Sequence, residues 1–246
     1  MKDEQFVIEV NGQKVRGLIE NKNSDKLMIL VHGFTGDMRG PDNIFEKLSK
    51  RLQQKGFAVL RFNFTGTPPS GGEFKAMTVK SETHDLKSIL KFAKSKGFQK
   101  IGILGESMGG TIAVTAYDPS LKIIIFWYPA FEFIDTSFKN YLSKTSKQKL
   151  LKDGFILESG FKIGKTFIGQ INTTNVFDRI KDIKCSVLFL HGDKDIDVPY
   201  KQSQKAFKLL KMPKEIYIIK GADHCFKHEQ EMVIDLTIKF LDTHFL

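Results

Sequence analysis

The stretch Gly105-Glu106-Ser107-Met108-Gly109 decides the fold of this chain. It has the pattern G-x-S-x-G, with a short apolar run of strand type before it at 100–104 and small residues of helical type after it at 111–116. A strand that turns abruptly into a helix at a serine forms a nucleophile elbow, which exposes the hydroxyl and accepts only small neighbours. The helix that starts there also points backbone N–H groups at the reacting oxygen. Ser107 is therefore the candidate nucleophile.

Other apolar runs of strand type, at 27–31, 185–190 and 215–219, also end in polar or glycine-rich turns. The turns are His32-Gly33-Phe34-Thr35-Gly36, His191-Gly192-Asp193-Lys194-Asp195 and Gly221-Ala222-Asp223-His224. A serine, an aspartate and a histidine thus each follow a separate strand, in the order Ser, Asp, His. This order distinguishes the plan from two other well-known serine triads.

With these four motifs, the chain resembles the α/β-hydrolase family over nearly its whole length. Within that family it is similar to the small esterases that include the cinnamoyl (feruloyl) esterases and, more distantly, the monoacylglycerol lipases. The resemblance implies an α/β-hydrolase fold and a serine hydrolase. It says much less about the substrate.

The resemblance also implies a role for each site residue. A serine hydroxyl is a poor nucleophile, so a neighbouring imidazole must accept its proton. His224 is the candidate base, and Asp195 orients its ring. The backbone N–H groups of Phe34 and Met108 are the candidate oxyanion hole. This chemistry requires no metal and no organic cofactor.

Two other aspartates, Asp193 and Asp197, flank Asp195, and from the residues alone either could be the acid; the resemblance favours Asp195. Asp223 is interpreted as a turn residue, and Glu106 is expected to point away from the substrate. We expect His32 to form a hydrogen bond within its loop and Cys225 to take no part in catalysis. The other four histidines are expected on the surface or behind the site; they are His84, His191, His228 and His244.

Composition and charge agree with a globular enzyme. The 246 residues are 41% hydrophobic and 27% charged, which is ordinary for a globular domain. The net charge of +10 comes mostly from lysines spread along the chain. Because there is no arginine-rich run and no aromatic-interleaved basic motif, we expect a solvated surface and no nucleic-acid partner.

Location and partners follow from the same survey. No apolar stretch is long enough to span a membrane, and the charged start, Met1 to Gln5, has no secretory apolar region behind it. Two cysteines are too few for a disulfide framework. We therefore expect a cytoplasmic enzyme that acts on a small-molecule ester. Whether it forms a homodimer stays open.

The order of elements predicts one domain over 1–246. A hairpin turns at Asn11-Gly12, and strands then alternate with helices, which implies a mostly parallel central sheet with helices on both faces. Helices are predicted over 42–55, 83–96, 200–210 and 229–245, and further strands over 57–62 and 121–127. Ligands of such sheets bind beyond the carboxyl ends of the strands, where every motif above lies.

One segment, 130–177, breaks this alternation and is interpreted as a cap inserted between the sixth strand and the acid-bearing strand. It contains short helical pieces and seven scattered phenylalanines. We expect most of these rings to form the core of the cap, and two or three to line an apolar wall of the substrate pocket.

The sequence therefore predicts a serine carboxylesterase for short- to medium-chain or aromatic, hydroxycinnamate-type esters. A serine peptidase related to acylaminoacyl peptidases is the first alternative; the start of the sheet near residue 27, without a preceding propeller-like domain, disfavours it. A binding protein without catalysis is the second alternative, which the complete serine, aspartate and histidine set disfavours. Ser107 excludes the dehalogenases and most epoxide hydrolases of this fold, which use an aspartate. Burial and the Asp195 charge should leave the pKa of His224 near 6–7.

Overall fold

A computed structural model describes residues 3–245; Met1 and Lys2, part of the charged start of the chain, and Leu246 lie outside the described residues. The strands are β1 (Glu4–Val10), β2 (Gln13–Glu20), β3 (Lys26–Val31), β4 (Ala58–Asn63), β5 (Lys100–Glu106), β6 (Ile123–Trp127), β7 (Phe155–Glu158), β8 (Phe161–Gly164), β9 (Ser186–Gly192) and β10 (Lys214–Ile219). The α-helices are α1 (Ile44–Gln54), α2 (Val79–Ser95), α3 (Met108–Thr115), α4 (Lys144–Asp153), α5 (Lys165–Gln170), α6 (Phe177–Ile180), α7 (Lys201–Leu209) and α8 (Gln230–His244).

Eight strands form one sheet in the order β1-β2-β4-β3-β5-β6-β9-β10. β1 and β4 both pair antiparallel with β2, and every pair from β4 to β10 is parallel. The register places Val31 opposite Gly105 and Ile219 opposite Gly192. The carboxyl ends of β3, β5, β9 and β10 therefore meet at one edge of the sheet, and the four motifs leave the sheet from that edge.

Helices cover both faces of this sheet. Along β3, Leu27, Ile29 and Val31 face a core formed with α2, α3, α6 and α7. Met28 and Leu30 face the opposite core, formed with α1 and α8. A central strand buried on both faces must be apolar at every position, which is the pattern of the sequence. The predicted parallel sheet with helices on both faces is confirmed.

The boundaries of local elements follow from turn and cap chemistry. Asn11 and Gly12 both have positive φ, at 50° and 76°, as a two-residue hairpin turn requires. The helix predicted over 83–96 begins four residues earlier than expected, because Thr78 and Ser81 form a reciprocal capping box at its N-terminus. The sequence prediction missed this cap, although both residues are good capping types.

The cap segment, residues 130–177, contains more regular structure than the sequence predicts. It holds the helices α4 and α5, 3₁₀ turns at Phe133–Asp135 and Ser137–Leu142, and an antiparallel hairpin of β7 and β8. The hairpin turns at Ser159 and Gly160, both of which have positive φ. A serine-glycine pair between two short apolar runs is a hairpin signal, and the sequence prediction of helical pieces alone was wrong here.

The longest of the helices, α2, has 17 residues. Among residues 3–245, none of the helices combines the length and the apolar composition that crossing a lipid bilayer demands.

Candidate active site

The backbone at Ser107 has the geometry of a sharp strand-to-helix turn. Ser107 lies between β5 and α3 with φ 48° and ψ −121°, backbone angles that residues other than glycine rarely adopt. The two flanking glycines are required by close backbone approach. A Cβ at Gly105 would lie 2.6 Å from the Gly109 carbonyl oxygen, and one at Gly109 would lie 2.4 Å from the Val31 oxygen. The turn therefore fits only because both positions lack side chains.

Three side chains from three strand ends meet in one chain of hydrogen bonds. Ser107 Oγ lies 3.0 Å from His224 Nε2, and His224 Nδ1 lies 2.7 Å from Asp195 Oδ2. A carboxylate accepts hydrogen bonds only, so Nδ1 carries the proton and Nε2 accepts the serine hydroxyl. The structure thus brings together the three residues that the sequence selects.

The pKa of His224 is higher than the sequence analysis expects. Burial lowers this pKa, but the hydrogen bond and the charge of Asp195 together raise it by more. The carboxylates of Asp197 and Glu106 add smaller upward contributions. The net result is a pKa above the ordinary histidine value. The expectation of little net shift is corrected, because more than one carboxylate faces the ring.

Asp195 is held as a carboxylate by four hydrogen-bond donors. Its Oδ2 accepts from His224 and from His191, and its Oδ1 accepts from the backbone N–H groups of Asp197 and Val198. Burial alone would raise the pKa of Asp195, but the hydrogen bonds outweigh it, and the pKa falls well below its usual value. A charged acid behind the imidazole can stabilise the imidazolium form.

The other two aspartates of this turn have different surroundings. Asp193 Oδ1 accepts the Gly221 N–H at 2.7 Å and so ties the turn after β9 to the turn after β10. A carboxylate oxygen of Asp197 lies within 4.8 Å of a ring nitrogen of His224 and of an oxygen of Asp195. Of the three, Asp195 alone is within hydrogen-bond distance of His224 in the described structure.

The turn after β3 lies directly against the serine. A Cβ at Gly33 would come within 3.0 Å of Ser107 Cβ and 3.6 Å of Ser107 Oγ. Met108 is the first residue of α3, so its N–H has no partner inside the helix. Within residues 3–245, neither the Phe34 N–H nor the Met108 N–H donates to a protein acceptor. Both donors are available to an oxygen next to Ser107.

Glu106 and Tyr128 hold the turn after β3 against the turn at Ser107, and neither contact was predicted from the sequence. Buried Glu106 accepts the Gly33 N–H at 3.1 Å and the Tyr128 hydroxyl. The Tyr128 ring lies against His224, with ring centroids 4.6 Å apart. Burial raises the pKa of Glu106 and the two hydrogen bonds partly offset the shift. Glu106 therefore links the serine turn to the Gly33 turn and, through Tyr128, to the histidine.

Two further histidines, His191 and His32, are buried near the site. Buried His191 donates from Nε2 to the Val198 carbonyl and Asp195, and its Nδ1 accepts from Ser203 at 2.8 Å, so it lies behind the acid. His32 bonds within its own loop as predicted, and burial lowers its pKa to about 4. No short-range sequence signal connects His191 to Ser203, because the contact depends on how α7 lies on β9.

Residues next to His224 have structural surroundings. Asp223 accepts the N–H groups of Cys225 and Lys227, as expected of a turn residue. Burial, followed by the carboxylates of Glu106 and Asp223, raises the pKa of Cys225 to about 12. The thiol is therefore protonated at neutral pH, and a thiolate nucleophile is disfavoured.

In the described part of the chain, the one group with metal-ligand spacing is Asp195, Asp197 and His224. The four lone-pair positions of the Asp195 carboxylate are already used by its four donors. The donor chemistry of this group therefore suits a hydrogen-bond network better than a cation.

Two cavities open on Ser107 and His224. The loop-side cavity, about 480 Å³, is lined by residues 33–37, residues 39–43, Glu106, Ser107, Tyr128, His224 and Cys225. The cap-side cavity, about 200 Å³, is lined by Phe34, Thr35, Ser107, Thr136, Ser137, Phe138, Tyr141, Glu158, Ser159, Asp197, Val198 and His224. A substrate whose carbonyl reaches Ser107 can thus extend on two sides of the serine.

The predicted apolar wall is smaller than expected. Of the seven phenylalanines noted in the cap segment, Phe138 alone lines a cavity that contains Ser107. Phe133 and Phe167 are buried with it in a separate core, and Phe155 and Phe161 line a different groove. The expectation of two or three pocket rings is corrected, because the rings pack mainly against one another and against Phe34.

A family model described as serine aminopeptidase, S33, a hydrolase family, matches residues 22–152, just over half of the chain. The match includes the turn after β3 and the Ser107 elbow. It ends before Asp195 and His224, so the case for these two residues rests on their hydrogen bonds.

Curated relatives and solved structures show similarity over most of the chain. Mitochondrial palmitoyl-protein thioesterase ABHD10 of Mus musculus is 26% identical over 216 residues, 83% of this chain and 71% of that protein. The uncharacterized protein YfhR of Escherichia coli strain K12 is 20% identical over 82% of this chain, which spans 64% of YfhR, less than two thirds of its length. Est1E of Butyrivibrio proteoclasticus, with ferulic acid bound, superimposes with a TM-score of 0.84 at 25% identity, covering 97% of this chain and 98% of Est1E. A hydrolase of Agrobacterium vitis S4, at 20% identity and a TM-score of 0.81 over the full length of both chains, supports the fold.

Proposed function

This chain belongs to the α/β-hydrolase family whose model is described as serine aminopeptidase, S33, and from that premise we propose that it is a serine carboxylesterase. Ser107 is the nucleophile, His224 the base and Asp195 the acid that orients it. The N–H groups of Phe34 and Met108 form the oxyanion hole. The proposed substrates are short- to medium-chain or aromatic, hydroxycinnamate-type esters.

The observation that carries the proposal is the hydrogen-bond chain from Ser107 Oγ through His224 to Asp195, at 3.0 and 2.7 Å. It stands beside two N–H donors that have no protein acceptor within residues 3–245. Acyl transfer requires a nucleophile, a base in the correct tautomer and a pair of hydrogen-bond donors for the oxyanion, all close together.

In the acylation step, Ser107 Oγ attacks the ester carbonyl carbon while its proton moves to His224 Nε2. The carbonyl oxygen becomes an oxyanion, which accepts hydrogen bonds from the Phe34 and Met108 N–H groups. Asp195 stabilises the imidazolium that has formed. His224 then gives the proton to the alcohol oxygen, the carbon–oxygen bond breaks, and the acyl group stays on Ser107.

In the deacylation step, a water molecule gives a proton to His224 and its oxygen attacks the acyl carbon. The second oxyanion occupies the same donors. When the bond to Ser107 Oγ breaks, His224 returns the proton to the serine, and the carboxylic acid leaves. The enzyme is then ready for another ester.

The similar proteins support ester cleavage as the reaction. Est1E has ferulic acid bound, and ABHD10 is a palmitoyl-protein thioesterase. A thioesterase cleaves at an acyl carbonyl, and ferulic acid is a hydroxycinnamic acid, which is the acyl part of the proposed aromatic esters. Because the family model is described as a serine aminopeptidase, a serine peptidase is the alternative that the experiment below must distinguish.

A substrate panel tests the proposal. We would compare p-nitrophenyl esters of increasing chain length, hydroxycinnamate methyl esters, a thioester and an aminoacyl anilide, with Ser107→Ala as the control for non-enzymatic cleavage. We expect hydrolysis of esters with kcat/KM well above that of the anilide. Preference for the anilide would favour the peptidase instead.

The non-catalytic alternative makes a different prediction in the same panel. A folded protein that cleaves none of these substrates and that a fluorophosphonate does not label would support a binding protein. The cytoplasmic location stays a prediction of the sequence, which makes none for the oligomeric state.

A further inference from the structure

The cap-side cavity contains acidic groups next to the reacting serine. Asp197 and Glu158 line it together with Ser107 and His224. A carboxylate oxygen of Asp197 lies within 4.8 Å of a ring nitrogen of His224, and Nε2 of the same ring lies 3.0 Å from Ser107 Oγ. A substrate group two to four bonds from the scissile carbonyl carbon is therefore within reach of Asp197.

Apart from the His224 ring, which Asp197 faces, no described residue of the cavity lining has a side chain that can carry a positive charge. Neither lysine nor arginine is among the lining residues, although the whole chain has a net charge of +10. Within residues 3–245, neither Asp197 nor Glu158 forms a salt bridge. Half-buried Asp197 and exposed Glu158 therefore make this cavity more favourable for a cation than for an anion.

Aromatic rings complete the lining. Phe34, Phe138 and Tyr141 line one part of the cavity, with Phe138 at 5.0 Å from Phe34 and 6.4 Å from Tyr141 between ring centroids. Ring faces attract ammonium groups, most strongly when water is partly excluded. Rings together with carboxylates suit a substituted ammonium better than an uncharged alkyl chain.

We propose that the ester substrate carries a positively charged nitrogen, in its acyl or its alcohol part, close to the scissile carbonyl, and that the cap-side cavity binds it. Asp197 contacts the charge beside the ester, and Glu158 approaches it from the β7–β8 hairpin. This proposal rests on the proposed esterase function and names the substrate class of the same site. It replaces the apolar wall that the sequence suggests with an acidic, partly aromatic pocket.

Isosteric ester pairs test the charge alone. In the acyl arm, a betaine ester is compared with the 3,3-dimethylbutanoyl ester of the same alcohol. In the alcohol arm, acetylcholine is compared with 3,3-dimethylbutyl acetate. Each pair differs only by nitrogen against carbon, and the quaternary nitrogen stays charged at every pH. The arm with the larger preference shows which part of the ester enters the cavity.

The readout is the ratio of kcat/KM for the cationic ester to that for its neutral partner, measured in wild type, Asp197→Asn and Glu158→Gln. Asp193→Asn is the matched control, because this carboxylate belongs to the same turn and lies outside the cavity. Dividing the ratio for a variant by the wild-type ratio removes the intrinsic reactivity difference between the esters. We expect Asp197→Asn to lower the ratio about tenfold and Glu158→Gln about threefold, because neutralising a partly buried charge partner costs more than neutralising an exposed one.

The outcomes separate this proposal from the function on which it rests. An unchanged ratio in both cavity variants, with the neutral esters hydrolysed, would overturn the cationic substrate and leave the esterase intact. An equal fall in Asp193→Asn would also overturn it, because the effect would then be a general change in surface charge. Absence of hydrolysis of all four esters by folded wild-type protein would overturn the esterase function and this proposal with it.

Discussion

The strand-end turns and the cap segment differ in what fixes their sequences. At the turns, backbone presses on backbone: a Cβ at Gly109 would lie 2.4 Å from the Val31 oxygen, and one at Gly192 would lie 2.1 Å from the Ala222 oxygen. In the cap segment, three of the four glycines have no backbone atom within 4 Å of the place for a Cβ, and Gly164 is the exception, with the Lys75 carbonyl oxygen at 2.0 Å. The turns therefore accept few sequences, whereas the cap segment is held mainly by side-chain packing that many sequences can supply.

This difference predicts that changes at the turns stop the reaction and changes in the cap segment alter its selectivity. The largest effect should come from Ser107→Ala, which removes the attacking oxygen. We expect ester hydrolysis to fall by about 10⁴-fold or more. Steady-state kinetics on the best ester of the panel measure the loss, and an unchanged circular dichroism spectrum shows that the fold is retained. A variant that keeps substantial activity would contradict the nucleophile assignment.

The next largest effect should come from Asp195→Asn. The amide can donate to Nδ1 and so favours the wrong tautomer of His224, which should reduce kcat by about 10³–10⁴-fold. Asp193→Asn and Asp197→Asn are isosteric controls in the same turn, and each should cost a neutral ester less than about tenfold. If Asp197→Asn damaged kcat more than Asp195→Asn, the acid would be Asp197.

A smaller, selective effect is expected in the cap segment. Phe138 lines the cap-side cavity, whereas Phe167 packs on the Phe34 ring at 4.9 Å between centroids without lining a cavity that contains Ser107. Phe138→Leu and Phe167→Leu should each lower the free energy of unfolding by about 1–2 kcal/mol, because each removes part of a buried ring. Only Phe138→Leu should change the relative kcat/KM values across the ester panel, by about threefold to tenfold. Equal changes in both variants would show that the segment acts through stability alone.

The smallest expected effect is a shift of the pH profile. The base must be neutral, so kcat/KM should rise with pH through the ionisation of His224, above the unperturbed value of about 6.5 because the pKa is raised. Asp197 contributes to raising it, so Asp197→Asn should move this limb toward lower pH. The profile is measured with a neutral ester. A limb below 6.5 in wild type, or a limb that Asp197→Asn leaves in place, would contradict the electrostatic account of the site.

The same contrast explains how much could be predicted from the sequence. Ser107, Asp195 and His224 stand out because each follows an apolar strand and a glycine that the backbone requires, and these signals are local. His191, Tyr128 and Glu106 were not assigned their contacts, because each reaches its partner across the sheet or from another loop. The β7–β8 hairpin had a local signal at Ser159 and Gly160, which its short, half-exposed strands made weak.

The cavity lining could not be predicted for a related reason. Phe131, Phe133 and Phe138 look alike in sequence, yet Phe138 alone lines the cap-side cavity. Which ring faces the cavity depends on the angle at which 3₁₀ turns leave β6, and no short-range pattern encodes that angle. The acidic character of the cavity depends likewise on Glu158 and Asp197, which are 39 positions apart in the chain.

The central claim is that Ser107 is the one activated serine of the protein. Its most direct test is reaction of the folded enzyme with a fluorophosphonate, followed by intact-mass measurement and mapping of the tryptic peptide 101–122, with fragmentation to separate Ser107 from Ser120 and the threonines of that peptide. The account predicts a single adduct on Ser107, formed in step with loss of esterase activity and strongly slowed in His224→Ala. An adduct on another residue, or a folded protein that stays unlabelled while it hydrolyses esters, would contradict it.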